Sequence, residues 1–159
     1  MDTSHPSAAR EMKPPDVIVR GTANNFLQEV VSGRHHLTAD EPRDVGGGEA
    51  GPTPYDYLLT ALGTCTSMTI GWYARKKKMP LGSIKISLWQ SRIHAEDCAE
   101  CLTKEGMLDR LELEIELTGD LSPEQRSLLM NAAAKCPVHR TLTSEINIKL
   151  RDASKNSRS

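Results

Sequence analysis

Along residues 107–119, MLDRLELEIELTG, the apolar residues Leu111, Leu113, Ile115 and Leu117 alternate with Glu112, Glu114 and Glu116. A period of two sends one set to a core face and the other to solvent, which predicts a strand buried on one side. Residues 83–94, SIKISLWQSRIH, repeat the pattern, with Ile84, Ile86 and Leu88 set against Lys85, Ser87 and Trp89. These two strands are expected to pair. Shorter runs predict strands over 17–21 and 26–33, joined by a turn at Asn24-Asn25, and a third over 34–40. A last strand is expected over 144–150, with Ile146, Ile148 and Leu150 on one face.

Between these lie stretches of helical period. Pro54 at a first position and Asp56 in a first turn predict a helix that starts after Thr53. Its apolar positions run Leu58, Ala61, Leu62, Cys65, Met68, Thr69 and Trp72, and the basic Lys76-Lys77-Lys78 followed by Pro80 closes it. A helix of about 25 residues spans roughly 37 Å, long for so small a domain. Leu59, Ile70 and Tyr73 form a second apolar side, so a partner chain is expected to supply cover. A second helix, 121–136, opens on Ser122, Pro123 and Gln125, the signature of a capping box, and Pro137 breaks it. A short third helix follows over 137–144. The order β-β-β-α-β-β-α-α-β predicts an α+β fold with a mostly antiparallel sheet.

Residues 41–54, EPRDVGGGEAGPTP, hold four glycines and three prolines and predict a loop. No GK[ST] follows and the spacing is wrong for GxGxxG, which argues against a nucleotide site. The 159 residues carry 20 basic and 21 acidic side chains. No basic field points to nucleic acid, and no run of eighteen apolar residues points to a membrane span. The basic Arg75-Lys76-Lys77-Lys78 suits a solvated helix end. His35 and His36 alternate faces on a strand and read as surface or fold residues. The first residues lack the apolar block of a secretion signal, so the expectation is a cytoplasmic protein.

In a reducing compartment, four cysteines are buried, metal-bound or catalytic before they are static staples. Cys98 and Cys101 lie in HAEDCAEC, residues 94–101, between the two long strands. With His94 they offer three ligands of an accessory metal site, and Asp97 or Glu105 a fourth, but a lone CxxC is weak evidence for a metal. An exposed secondary redox pair or a lid are the other readings. Cys65 sits mid-helix among Ala61, Gly63, Thr64, Thr66 and Ser67, as a small core hydrophobe or with room for a substrate to approach. Cys136 falls where one helix ends and the next begins. There unpaired backbone N–H groups favour a thiolate, with His139 and Arg140 one turn away. The alternative for Cys136 is an apolar cap. Both thiols lie on core-facing stripes, so they can form a pair.

Three segments, GPTPYDYLLTALGTCTSM (51–68), the strand region SIKISL and AAAKCPVHRTL (132–142), resemble the OsmC/Ohr-like proteins, and HAEDCAEC with CPVHRTL resembles a bacterial OsmC-like branch. The resemblance covers nearly everything after about residue 16. It implies a flexible tail over 1–16, a single domain over 17–150 and a polar tail over 151–159. The implied fold is a curved, mostly antiparallel sheet wrapped around a long central helix, in an intertwined homodimer. The implied activity is reduction of organic hydroperoxides, and less efficiently of hydrogen peroxide, with no cofactor. An external thiol or dihydrolipoyl-type reductant would close the cycle. The resemblance makes Cys65 the peroxidatic and Cys136 the resolving cysteine.

The chain departs from the family at the activating residues. Where the family has a glutamate, ten residues before the cysteine, this chain has Tyr55, followed by Asp56. Tyr55 can donate to a peroxide oxygen. Asp56 is the candidate to orient an arginine. Arg20 and Arg34 are candidates for the family's arginine, and Arg140 is a substitute. The departure points to weak or specialised activity. It also keeps a second class in view, a binding or stress protein with a buried apolar pocket.

Overall fold

The computed structural model describes residues 13–153. The expected terminal tails, 1–16 and 151–159, fall largely outside that range. The chain divides into two compact units, residues 1–54 and 55–159.

In the first unit, β1 (Ile18–Gly21), β2 (Gln28–Ser32) and β3 (His35–Ala39) form an antiparallel meander in the order β1-β2-β3. Val19 faces Val30 and Arg20 faces Glu29, while Val31 faces His36. Gly33, with φ of 57°, makes the tight β2–β3 turn.

The glycine-rich loop that follows is built around one carboxylate. Asp40 is buried, and its oxygens accept hydrogen bonds from the amides of Glu41 (2.9 Å), Gly48 (3.0 Å) and Ala50 (3.1 Å). The Asp40 amide in turn donates to the Pro52 carbonyl (3.2 Å). Gly47 passes so close to the Glu41 carbonyl that a Cβ there would collide with it. These amides, which in a phosphate loop would face a ligand, are spent on a resident side chain. The donors from Ala50 and Glu41 hold the Asp40 carboxyl below the ordinary carboxylate range, although burial opposes them.

The second unit holds α1 (Pro54–Lys76), β4 (Leu81–His94), β5 (Met107–Gly119), α2 (Pro123–Ala133) and α3 (Pro137–Leu142). The period-two pattern pairs as expected. Ile84 faces Leu117, Ile86 faces Ile115 and Leu88 faces Leu113, with Lys85 and Glu116 bridged at 2.6 Å on the other face. Ser122 caps α2 by accepting from the Gln125 amide, and the Gln125 side chain accepts from the Ser122 amide, a complete capping box. The core is Ile70 and Ala74 of α1 with Leu129 and Ala133 of α2, flanked by Ile84, Ile115 and Leu117 of the hairpin.

Three sequence expectations are corrected. The strands do not join one curved sheet wrapped around α1. They form two separate antiparallel sheets, of three strands and of two. Residues 145–150 form no strand, and Ile146, Ile148 and Leu150 stay exposed. The physical reason is local: hairpins satisfy their own backbone groups, whereas a lone segment with strand periodicity needs an edge to hydrogen-bond. The covered face of α1 also differs. Leu62, Thr66, Ile70 and Ala74 are buried at four-residue spacing, while Met68 (71% exposed) and Trp72 (55%) of the expected stripe are not. The helix carries two apolar stripes, and period alone does not say which one is covered.

Two outcomes follow from this packing. Leu129 is fully buried, so Leu129→Ala is expected to lower unfolding free energy by about 3 kcal/mol in denaturant melts. Asp40→Asn is expected to speed hydrogen exchange at the Gly48 and Ala50 amides. Because the folded pKa of Asp40 is depressed, its stabilisation is complete above the unfolded value of about 3.9. It is lost as pH falls through the lower folded value, so the unsubstituted chain at strongly acid pH should show the same loosening.

Candidate active site

Cys136 closes α2 and opens α3. It is the N-cap of α3, with extended backbone and a side chain that accepts from the His139 amide at 3.2 Å. Pro137 at the first helical position fits this junction, since its missing N–H would have had no partner there. The sulfur is fully buried, and the equally buried Thr66 of α1 donates its hydroxyl to it at 3.4 Å. Cys65 and Val138, which line the adjoining groove, also act on its charge. Burial pushes the Cys136 thiol up. The Thr66 hydroxyl, the His139 amide, the Cys65 thiol and the Val138 amide together outweigh burial and hold it below the ordinary thiol range.

Cys65 sits on α1 one residue before Thr66. It is half-buried, and both it and Cys136 are free thiols. Helical geometry explains why the neighbours differ. Thr66 lies on the covered stripe of Leu62, Ile70 and Ala74, whereas Cys65 is turned by about 100° toward the edge of that stripe. It opens into a shallow apolar groove of about 630 Å³, lined by Ala61, Met68, Thr69, Trp72, Pro137 and Val138. A small molecule therefore reaches Cys65 from the groove, while Cys136 stands behind it.

A separate cavity of about 450 Å³ lies at the other side of α3. Tyr55, Leu58 and Leu62 of α1, Leu111 and Leu113 of β5, and His139 wall it. Tyr55 is half exposed there, and Asp56 is its neighbour in the first turn of α1. Arg20 belongs to the first unit, where its guanidinium meets Glu29 across β1 and β2 at 3.3 Å. Arg34 lies in the β2–β3 turn, and Arg140 is exposed on α3. So α1 and the α2–α3 corner bring Cys65, Thr66 and Cys136 together, with Tyr55 three turns away along α1.

Cys98 and Cys101 are joined to each other as a disulfide. Among the described residues no three histidine, cysteine or acidic side chains are gathered to hold a metal ion, His94, Cys98 and Cys101 included. Thr66 is the site residue that sequence reasoning missed. Its only signal was a polar residue at four-residue spacing inside a stripe of Leu62, Ile70 and Ala74.

A sequence model described as OsmC-like protein matches residues 46–151. The chain belongs to the OsmC-like protein family. That stretch runs from the glycine-rich loop to the end of the described chain and includes all four cysteines. Solved structures share its fold. One is an osmotic stress induced and detoxification response protein from Psychrobacter arcticus, so titled as putative. It is 17% identical with a TM-score of 0.64, over 82% of this chain and 89% of that one. An OsmC-like protein from Mycoplasma pneumoniae is 20% identical with a TM-score of 0.64, over 83% and 89%. The organic hydroperoxide resistance protein OhrB of Bacillus subtilis is 19% identical with a TM-score of 0.55, over 84% and 93%. No curated protein matches the chain. The OsmC-like fold observed here is thus α+β, with antiparallel sheets and a long helix. Among the described residues no helix is long and apolar enough to cross a membrane.

The donor set around the sulfur has a measurable consequence. Thr66→Val keeps the side-chain volume and removes one donor, so the titration of Cys136 should move to higher pH. The Cβ chemical shift of isotopically labelled cysteine, followed against pH, reads this residue by residue.

Proposed function

We propose that this OsmC-like protein is a thiol-dependent peroxidase that reduces organic hydroperoxides, and hydrogen peroxide less well. The observation that carries the reading is the pair of neighbouring free thiols, one open to an apolar groove and one buried among donors. The apolar lining favours an alkyl hydroperoxide over hydrogen peroxide, because burial of its chain adds binding free energy.

Cys65 and Cys136 lie together, and the donors at Cys136 favour its thiolate, which can accept the Cys65 proton. Transfer of that proton to Cys136 frees the Cys65 thiolate, which attacks the outer peroxide oxygen. The O–O bond breaks, Cys65 becomes a sulfenic acid, and the departing alkoxide takes a solvent proton to leave as the alcohol. The Cys136 thiol then attacks the sulfenic sulfur, water leaves, and a Cys65–Cys136 disulfide results. An external thiol or a dihydrolipoyl-type dithiol returns two electrons by exchange, entering at Cys65. The setting that suits this cycle is a reducing, cytoplasmic one.

Asp56, in the first turn of α1, is the proposed activating acid. The exposed Met68 and Trp72 beside the Cys65 groove favour a homodimer in which a second copy covers the middle of α1. A second reading rests on the leucine-walled cavity and on Tyr55 in place of an acid. In it the chain is a binding or stress protein for an apolar ligand, with little turnover.

The deciding experiment is peroxide consumption with dithiothreitol and then dihydrolipoamide as reductant, using cumene hydroperoxide and hydrogen peroxide. Cys65→Ser is expected to lose turnover by at least about 100-fold, the scale of a lost nucleophile. Cys136→Ser should keep a single turnover and lose the intrachain disulfide. Undiminished turnover in Cys65→Ser would remove the mechanism and leave the binding reading.

A further inference from the structure

The cysteine pair that the peroxidase cycle leaves unused sits at the tip of the β4–β5 hairpin. Cys98 and Cys101 are bonded to each other there, with Cα atoms 5.3 Å apart. The bond does little for the fold. It closes a ring of only four residues, and the constraint a disulfide places on the unfolded chain grows with ring size. The strands on either side are already registered down to His94 against Met107. The backbone of the ring is also held without the sulfurs. The Cys98 amide donates to the Ala95 carbonyl (3.1 Å), the Cys101 amide to the Cys98 carbonyl (3.3 Å) and the Ala95 amide to the Gly106 carbonyl (2.8 Å). Ala95 beneath it is fully buried. A reduced pair would thus keep its place, ready to close again.

The two sulfurs differ in access. Cys98 is buried, whereas Cys101 is half-buried beside Leu102, which is 98% exposed. Around them stand Glu96, Asp97, Glu100 and Glu105, against Lys104, which donates to the Ala99 carbonyl (3.2 Å). A thiol that approaches Cys101 meets a negative field.

We propose that Cys98–Cys101 is a second thiol–disulfide exchange site, separate from Cys65 and Cys136, that takes electrons from thiols carrying positive charge beside the sulfur. The donor thiolate attacks the Cys101 sulfur, the S–S bond breaks, and Cys98 leaves as a thiolate that takes up a proton. A second donor thiol attacks the mixed disulfide, Cys101 leaves and is protonated, and the donor departs as its own disulfide. Two electrons pass from donor to protein. The partner of matching chemistry is a dithiol protein with a basic surface at its reactive cysteine.

The native chain is sufficient for the test. Timed reduction, acid quench, alkylation and trypsin place both cysteines in one peptide, residues 93–104 after Arg92, apart from Cys65 and Cys136. Cysteamine and 2-mercaptoethanesulfonate serve as cationic and anionic donors, each normalised to its rate with a neutral small disulfide. At an ionic strength of ~10 mM cysteamine should be favoured by about tenfold, and the ratio should fall toward one at ~0.5 M as the charges are screened. Replacing Glu96, Asp97, Glu100 and Glu105 by their amides should abolish the preference. Equal rates at low salt, a preference that survives the four substitutions, or a bond that neither thiol opens in the folded chain would each overturn the proposal. None of these outcomes bears on Cys65 turnover.

Discussion

Helix α1 is held against α2 by a small apolar contact, Ile70 and Ala74 on one side and Leu129 and Ala133 on the other. The thiol site depends on the register of that contact. Thr66 lies one turn before Ile70, and Cys136 three residues after Ala133. Once the contact is made, the turn of α1 beyond it meets the corner where α2 ends. A hydroxyl and an amide then donate to one sulfur, with Cys65 next to the hydroxyl's residue. Small residues make this fit possible. Gly63 on the same helix admits the Leu88 side chain of β4 where a Cβ would meet it at 2.8 Å.

The two compact units solve one electrostatic problem in the same way. A group that is to carry negative charge out of water must find donors there. Asp40 finds three amides of its own loop, and Cys136 finds the first amides of α3 and the hydroxyl of Thr66. In each case the donors win against burial and the acid form is disfavoured. The outcomes differ because of what lies alongside. Asp40 has only backbone around its oxygens and organises a loop. Cys136 has a second sulfur as neighbour, and so a partner for proton transfer and bond formation. The hairpin-tip cysteines are instead bonded to each other, with Glu96, Asp97, Glu100 and Glu105 near them along the chain.

Much of this was legible from local pattern. The Ser122–Gln125 capping box, the Pro137 start of α3 and the alternation of Ile84, Ile86 and Leu88 against Leu117, Ile115 and Leu113 involve neighbours along the chain or across one hairpin. The glycine-rich segment was readable as a loop, but not its reason, because Asp40 reaches residues eight and ten positions away. The periodic Ile146, Ile148 and Leu150 read as a strand, but periodicity supplies no edge to pair with.

The chain by itself determined which residues could become helices and strands, where those elements begin, and that Cys136 would stand at a helix start. These follow from backbone geometry, capping and period, which act over a few residues. Only the tertiary structure decided that Thr66, Ile70 and Ala74 are covered while Met68 and Trp72 are not, and that two sheets form where one was expected. It also decided that the turn of α1 with Cys65 and Thr66 lies against Cys136. A helix with two apolar stripes is ambiguous until something packs on one of them. A contact across 71 positions is set by that packing and not by either segment alone.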